Sequence, residues 1–144
     1  EFVTKGKTAF TSFSCSNFIV FDVENEPCLQ ELPTNSFDII IAANVLHATA
    51  NIVTTLLNVK KLLKPAGILI LYELTTNYPF LDLTFGLLKD WHNDTDQYRN
   101  YLSPLLSRKQ WKNVLKSVGL SVEALTPKTS VLSSQCVFVC KKNK

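Results

Sequence analysis

The sequence has no methionine, no Cys-x-x-Cys pair, no apolar run as long as a membrane span and no basic cluster beyond its last four residues. A chain that lacks Met and opens Glu1-Phe2-Val3 in mid-pattern reads as a segment of a longer polypeptide. The four cysteines, Cys15, Cys28, Cys136 and Cys140, have no histidines at metal-ligand spacing, so a zinc site is not expected and reduced packing residues are. That cysteine usage fits a reducing, cytoplasmic setting. Without a long apolar run or a charged-apolar-small leader, neither a membrane partner nor secretion is indicated by the residues present. The net charge of +3 owes part of its value to the Lys141-Lys142-Asn143-Lys144 tail, too little for a nucleic-acid partner.

What the sequence does have is apolar residues, 46% of the chain, enough for the single core of one domain. Asn17 to Val23 and Phe37 to Ala43 are short β-branched and aromatic runs, and Pro27, Pro33, Asn35 and Ser36 between them supply turn chemistry. Both read as buried strands. From Ala50 to Leu63, Ile52, Val53, Leu56, Leu57, Val59, Leu62 and Leu63 recur at helical spacing before Lys64-Pro65-Ala66-Gly67 stops the pattern. A third strand, Ile68 to Leu74, follows. Strand, helix, strand with continuous apolar strands is the pattern of a parallel sheet covered on both faces.

Thr75 to Ser107 carries Phe80, Phe85, Trp91, Tyr98 and Tyr101 among polar residues and is too long for an ordinary connection. It is either a partly helical insertion over the active face or a surface flap. After it, Trp111, Val114, Leu115 and Val118 define an amphipathic helix with Ser107 as N-cap and Gly119 as its stop. Leu120 to Leu125 and Gln135 to Lys141, joined by a link containing Pro127, read as an antiparallel pair, with Cys136 and Cys140 on one face of the second. The fold class is α/β: a Rossmann-like sheet, mostly parallel, with an antiparallel last strand.

In such sheets ligands bind beyond the carboxyl ends of the strands, so the residues just past each strand matter most. These are Asp22, then Asn44 and His47, then Glu73. On neighbouring strands, about 4.8 Å apart, His47 and Glu73 can hydrogen-bond. A carboxylate on one ring nitrogen fixes the tautomer and leaves the other nitrogen to take a proton. The alternative is a histidine that merely caps the next helix. Asp22 can accept from an exocyclic amine of a bound adenine, or it can be an ordinary turn residue. His92, flanked by polar residues, reads as a solvated loop residue.

The stretch FDIIIAANVLHATANIVTTLLNVKKLLKPAGILILYELT (37–75), followed by PFLDLTFGLL and YLSPLLSRKQWKNVLKSVGL, closely resembles the carbon methyltransferase domain of polyketide synthases. The likeness runs from about Asn17 to Gly119 with the motifs in order. It implies the C-terminal part of a class I methyltransferase core over residues 1–144, with a substrate-covering insertion at about 75–107. It also implies S-adenosylmethionine as cofactor, His47 and Glu73 as catalytic dyad, and Asp22, Val23, Ala43 and Asn44 as cofactor-binding residues. The implied substrate is a β-ketoacyl thioester carried on an acyl carrier protein, and the implied neighbours are other synthase domains in the same polypeptide. An inactive methyltransferase-like module of the synthase, or a free-standing O- or N-methyltransferase, is the competing reading.

Two departures from the family pattern stand out. The glycine-rich loop that carries the cofactor's carboxypropyl end has no match, nor has the acidic residue that would hold the ribose, so this segment alone is expected to bind cofactor poorly. Ala66 stands where the family has a glycine, and Gly67 is expected to supply whatever freedom that turn needs.

Overall fold

The structure is a computed structural model that describes residues 1–14, 16–89, 91–99, 103–125 and 134–143. Cys15, Tyr101, Pro127 and Lys144, all used in the sequence reading, lie outside the described residues. Four strands, β1 (Phe37–Ala43), β2 (Leu63–Leu74), β3 (Leu120–Leu125) and β4 (Gln135–Lys142), form one sheet in the order β1-β2-β4-β3. β1 and β2 are parallel, while β4 runs antiparallel to both β2 and β3. Three strands therefore point one way and the last is reversed, as the sequence pattern implied.

The crossover between β1 and β2 is helix α2 (Ile52–Leu62). Asn51 starts it, its side-chain Oδ1 accepting the N–H groups of Val53 and Thr54 at 3.1 Å each. Ile52, Leu56 and Val59, at helical spacing, turn inward. Helix α4 (Arg108–Ser117) opens on a capping box between Ser107 and Gln110, buries Trp111, Val114 and Leu115, and is halted by Gly119 at φ +76°. Two shorter helices, α1 (Phe2–Ala9) and α3 (Pro79–Phe85), bury no residue.

α2 and α4 cover one face of the sheet. Against them β2 and β4 present Leu69, Leu71, Cys136, Phe138 and Cys140, which with Leu46, Trp111 and Leu115 make one cluster. Each fully buried Leu or Phe contributes about 1.5–3 kcal/mol. Burial pushes the Cys140 thiol up to about 12, so it packs as an inert apolar group. The opposite face does not match the expectation of a sheet covered on both sides. Ile41 is 71% exposed, and Ile68, Ile70, Tyr72, Val137 and Val139 are half-buried, because both helices that pack on the sheet lie on the same side.

Two local expectations are also corrected. Asn17 to Val23 belongs to no strand: residues 17–22 take no regular secondary structure, Val23 lies in a turn, and Ile19 and Val20 are exposed. β-propensity is met only where a neighbour supplies the ladder, and among the described residues none does. The turn at the start of β2 is the other. β2 begins at Leu63, opposite Phe37, and the register jumps so that Ile68 faces Ile39. The left-handed residue in that jump is Ala66, at φ +64°, and not Gly67. Gly67 is needed for a different reason: a Cβ there would lie 2.9 Å from the Lys64 carbonyl oxygen and 3.1 Å from that of Phe37.

Candidate active site

β1 ends at Ala43, whose partner on β2 is Tyr72. Asn44 then takes φ +49°, a conformation Asn tolerates, and turns the chain over the end of β2. Its N–H donates to the Tyr72 carbonyl at 2.7 Å, and its Oδ1 accepts the Leu74 N–H at 3.1 Å. The loop is thus stapled to β2 before it winds into the 3-10 turn Leu46–Ala48, which carries His47.

Glu73 lies on the covered face of β2 and is fully buried. Its Oε2 meets His47 Nδ1 at 2.6 Å, and its Oε1 accepts the N–H groups of Val45 at 3.3 Å and Leu46 at 3.1 Å. A buried carboxylate is costly unless it is hydrogen-bonded, and here three donors engage both of its oxygens. The imidazole, itself almost enclosed, keeps Nε2 as the ring nitrogen not engaged by Glu73. His47 lines a cleft of about 480 Å³ with Ala48, Phe85, Leu88, Lys89 and Trp91. Trp91 stands edge-on to the imidazole at 6.2 Å and stacks on Phe85 at 5.3 Å. Asp82 of α3 accepts its indole N–H at 3.3 Å.

The other rim residues are placed as follows. Asp22 is exposed, with Oδ1 accepting the Glu24 N–H at 3.0 Å and Oδ2 the Asn25 amide at 2.8 Å, while its own N–H donates to Gln30 at 2.8 Å. Each carboxylate oxygen retains a lone pair for a further donor. Asn58 of α2 donates to the carbonyls of Val23, Glu24 and Asn25, and the Glu24 carboxylate accepts the Ala50 N–H at 2.6 Å. The turn holding Asp22 and Val23 is thereby tied to the loop holding His47. Ala43 is exposed at the strand end. His92 is exposed, as read from its neighbours.

Sequence reasoning missed two residues of this site. Arg99 and Asp96 form a buried ion pair, and Arg99 also donates to the carbonyls of His47, Thr49 and Ala50. The only hint in the sequence is an Asp-x-x-Arg spacing inside the long insertion. Burial alone would raise the Asp96 carboxyl, but the Arg99 guanidinium and the Ile52 and Tyr98 N–H groups outweigh it and hold the carboxyl below its ordinary value. Among the described residues no group of three or more His, Cys, Asp or Glu could hold a metal, and no helix is long and apolar enough to cross a membrane.

With a parallel sheet, a loaded carboxyl-end rim and a reversed last strand in place, comparison with known proteins becomes specific. Residues 5–119 match the model of the methyltransferase domain family, and the chain belongs to that family. Its α/β sheet is that of a class I methyltransferase. More narrowly, it is similar to the carbon methyltransferase regions of polyketide synthases. It is 38% identical over 146 residues, 94% of this chain and 4% of the relative, to a hybrid polyketide–nonribosomal peptide synthetase, thnA, of Trichoderma harzianum. The solved CurJ carbon methyltransferase superposes with a TM-score of 0.92 at 40% identity, over 99% of this chain and 39% of that one. The carbon methyltransferase domain of the citrinin polyketide synthase does so with a TM-score of 0.88 at 29% identity, over 99% of this chain and 36% of that one. The chain therefore spans well under half of each of these proteins.

Proposed function

We propose that this segment is the base-bearing part of an S-adenosylmethionine-dependent carbon methyltransferase domain in a polyketide synthase. The observation that carries the reading is the 2.6 Å bond between His47 Nδ1 and the buried Glu73 carboxylate beside an apolar cleft. The substrate we infer is a β-ketoacyl thioester on an acyl carrier protein, whose α-carbon is acidic because its enolate is spread over two carbonyls. An imidazole is a competent base for such a carbon acid. His47 Nε2 takes the α-proton, and Glu73 holds the ring in one tautomer and balances the charge that the ring acquires. S-adenosylmethionine, when bound, supplies an electrophilic methyl group on a positively charged sulfur.

The residues of this chain fit that cofactor at one rim. Asp22, whose carboxylate is exposed, would accept an adenine amine with Val23 beside it, and Ala43 and Asn44, at the end of β1, would meet the methionine part. The insertion at about 75–107 would cover the substrate, and its Phe85–Trp91 stack walls the His47 cleft. The segment spans 39% and 36% of two solved relatives, so the activity proposed is that of a whole domain of their kind. Its partners are the carrier protein and neighbouring synthase domains, in the cytoplasm; the reaction as inferred uses no metal.

The test is His47→Ala in the synthase domain that contains this segment, assayed for α-methylation of a carrier-bound β-ketoacyl thioester. Methyl transfer should fall by about 10²–10⁴-fold with cofactor affinity unchanged. A mutant that methylates at the wild-type rate would remove His47 as the base.

A further inference from the structure

Glu73 holds the loop after β1 from its N–H side, at Val45, Leu46 and the His47 ring. The C=O side of the same loop is held by a group from the far end of the insertion. Arg99 Nη1 donates to the carbonyls of His47 at 2.9 Å and Thr49 at 2.6 Å, and Nη2 to that of Ala50 at 2.9 Å. Asp96 anchors the guanidinium by accepting from Nε at 3.0 Å and also accepts the Ile52 N–H at 3.0 Å, the first residue of α2. The two side chains are 1% and 3% exposed.

We infer that Arg99, anchored by Asp96, is a positioning residue for His47: it fixes the backbone of the His47–Ala50 loop and so aims the ring nitrogen that Glu73 leaves open. The inference rests on the reading of His47 as the base.

Three observations carry it. A ring bonded only through Nδ1 can still pivot about that bond, and the second anchor, at the residue's own carbonyl, removes this freedom. The pair is not required to start α2, because Asn51 already caps that helix. Burying a guanidinium and a carboxylate is, finally, a poor way to gain stability compared with apolar packing, and such pairs are best explained by the geometry they fix. The planar fork of Arg spans three carbonyls and a carboxylate at once, which an ammonium cannot do. Trp91, on the wall of the His47 cleft, belongs to the same insertion as Asp96 and Arg99, so the segment that covers the base also aims it.

The experiment compares wild type, Arg99→Lys, Arg99→Ala and His47→Ala in the intact synthase domain. It reads steady-state methyl transfer, exchange of the substrate α-proton in deuterated water, and affinity for S-adenosylmethionine. For Arg99→Lys we expect kcat and α-proton exchange to fall about ten- to a hundred-fold, the cost of misplacing a reacting group by roughly 1 Å. KM for both substrates and cofactor affinity should stay within about two-fold, well under the 1.4 kcal/mol that a tenfold change represents. Millimolar guanidinium ion should restore part of the Arg99→Ala rate. Wild-type kcat in Arg99→Lys, or a loss confined to cofactor affinity, overturns the inference. Should Arg99→Lys not fold, Asp96→Asn carries the test with a smaller drop of the same kind, and wild-type kcat there overturns it equally. Wild-type exchange in His47→Ala would instead remove the base reading itself, so the two failures are distinguishable.

Discussion

His47 and Asp22 sit on adjoining loops at one rim of the sheet, joined through the bond from Ala50 N–H to Glu24, yet they are held in opposite ways. His47 is nearly enclosed, with Glu73 at its ring and Arg99 at its carbonyl, both partners buried. The Asp22 carboxylate is exposed and, among the described residues, bonded only to Glu24 and Asn25 in its own turn. The contrast follows from the two tasks proposed for them. A group that moves a proton gains from being fixed and shielded from water beforehand, because reorganisation then adds nothing to the barrier. A carboxylate that recognises a ligand must keep a lone pair open to it.

The largest break in this comparison should come from Glu73→Ala. It strands the N–H groups of Val45 and Leu46, at about 1–3 kcal/mol each, and frees the His47 ring. Methyl transfer should drop by about 10²–10⁴-fold, and the urea midpoint should fall with it. If the variant keeps its midpoint and its rate, the enclosed half of the rim is not the stiff one.

Acid should loosen the enclosed side next. Since the Asp96 carboxyl is held below its ordinary value of 3.8, its stabilising effect is complete above that pH and is lost as pH falls through the lowered value. Asp96→Ala should cost about 3–5 kcal/mol at neutral pH, as an uncompensated buried Arg99 is left behind. It should also flatten stability against pH below about 4, where the unfolded carboxyl takes up its proton. Equally steep acid unfolding in wild type and variant, followed by circular dichroism, would locate the acid-sensitive group elsewhere.

The exposed side should respond in binding alone. Asp22→Ala should weaken S-adenosylmethionine binding to the intact domain by about tenfold, near 1.4 kcal/mol, and change stability by less than about 0.5 kcal/mol. Calorimetry that finds unchanged affinity would take Asp22 out of the site. The smallest effect, and the only stabilising one, should be Ala66→Gly. Relief of a left-handed Ala, about 1–2 kcal/mol, less the added freedom of the unfolded glycine, leaves a gain of about 0.5–1 kcal/mol, readable as a higher midpoint.

How far the residues spoke for themselves differs from element to element. α4 was legible throughout, because the Ser107 cap, the Trp111-Val114-Leu115 stripe and the Gly119 stop are each signals that act on residues about one turn away. The β1–α2–β2 unit was legible for the same reason, and it brought His47 and Glu73 to neighbouring strand ends. Asn17 to Val23 misled: its side chains favour a strand, but pairing is a property of two segments. Ala66 misled too, since the register jump between β1 and β2 sets which residue of the turn becomes left-handed. Arg99 and Asp96 gave no sign beyond their Asp-x-x-Arg spacing, because a charge that is buried and one that is solvated are spelled alike.

The amino-acid order by itself settled the period of α2, α4 and the four strands, the Ser107 cap, the α/β class and the residues at the strand ends, all of which follow from forces acting over a few neighbouring positions. Only the tertiary structure decided which face of the sheet is covered, that the far end of the insertion grips the loop of His47, and that the adjoining Asp22 turn stays exposed. Those outcomes depend on contacts across some fifty residues, as between Arg99 and His47, and on the burial such contacts create.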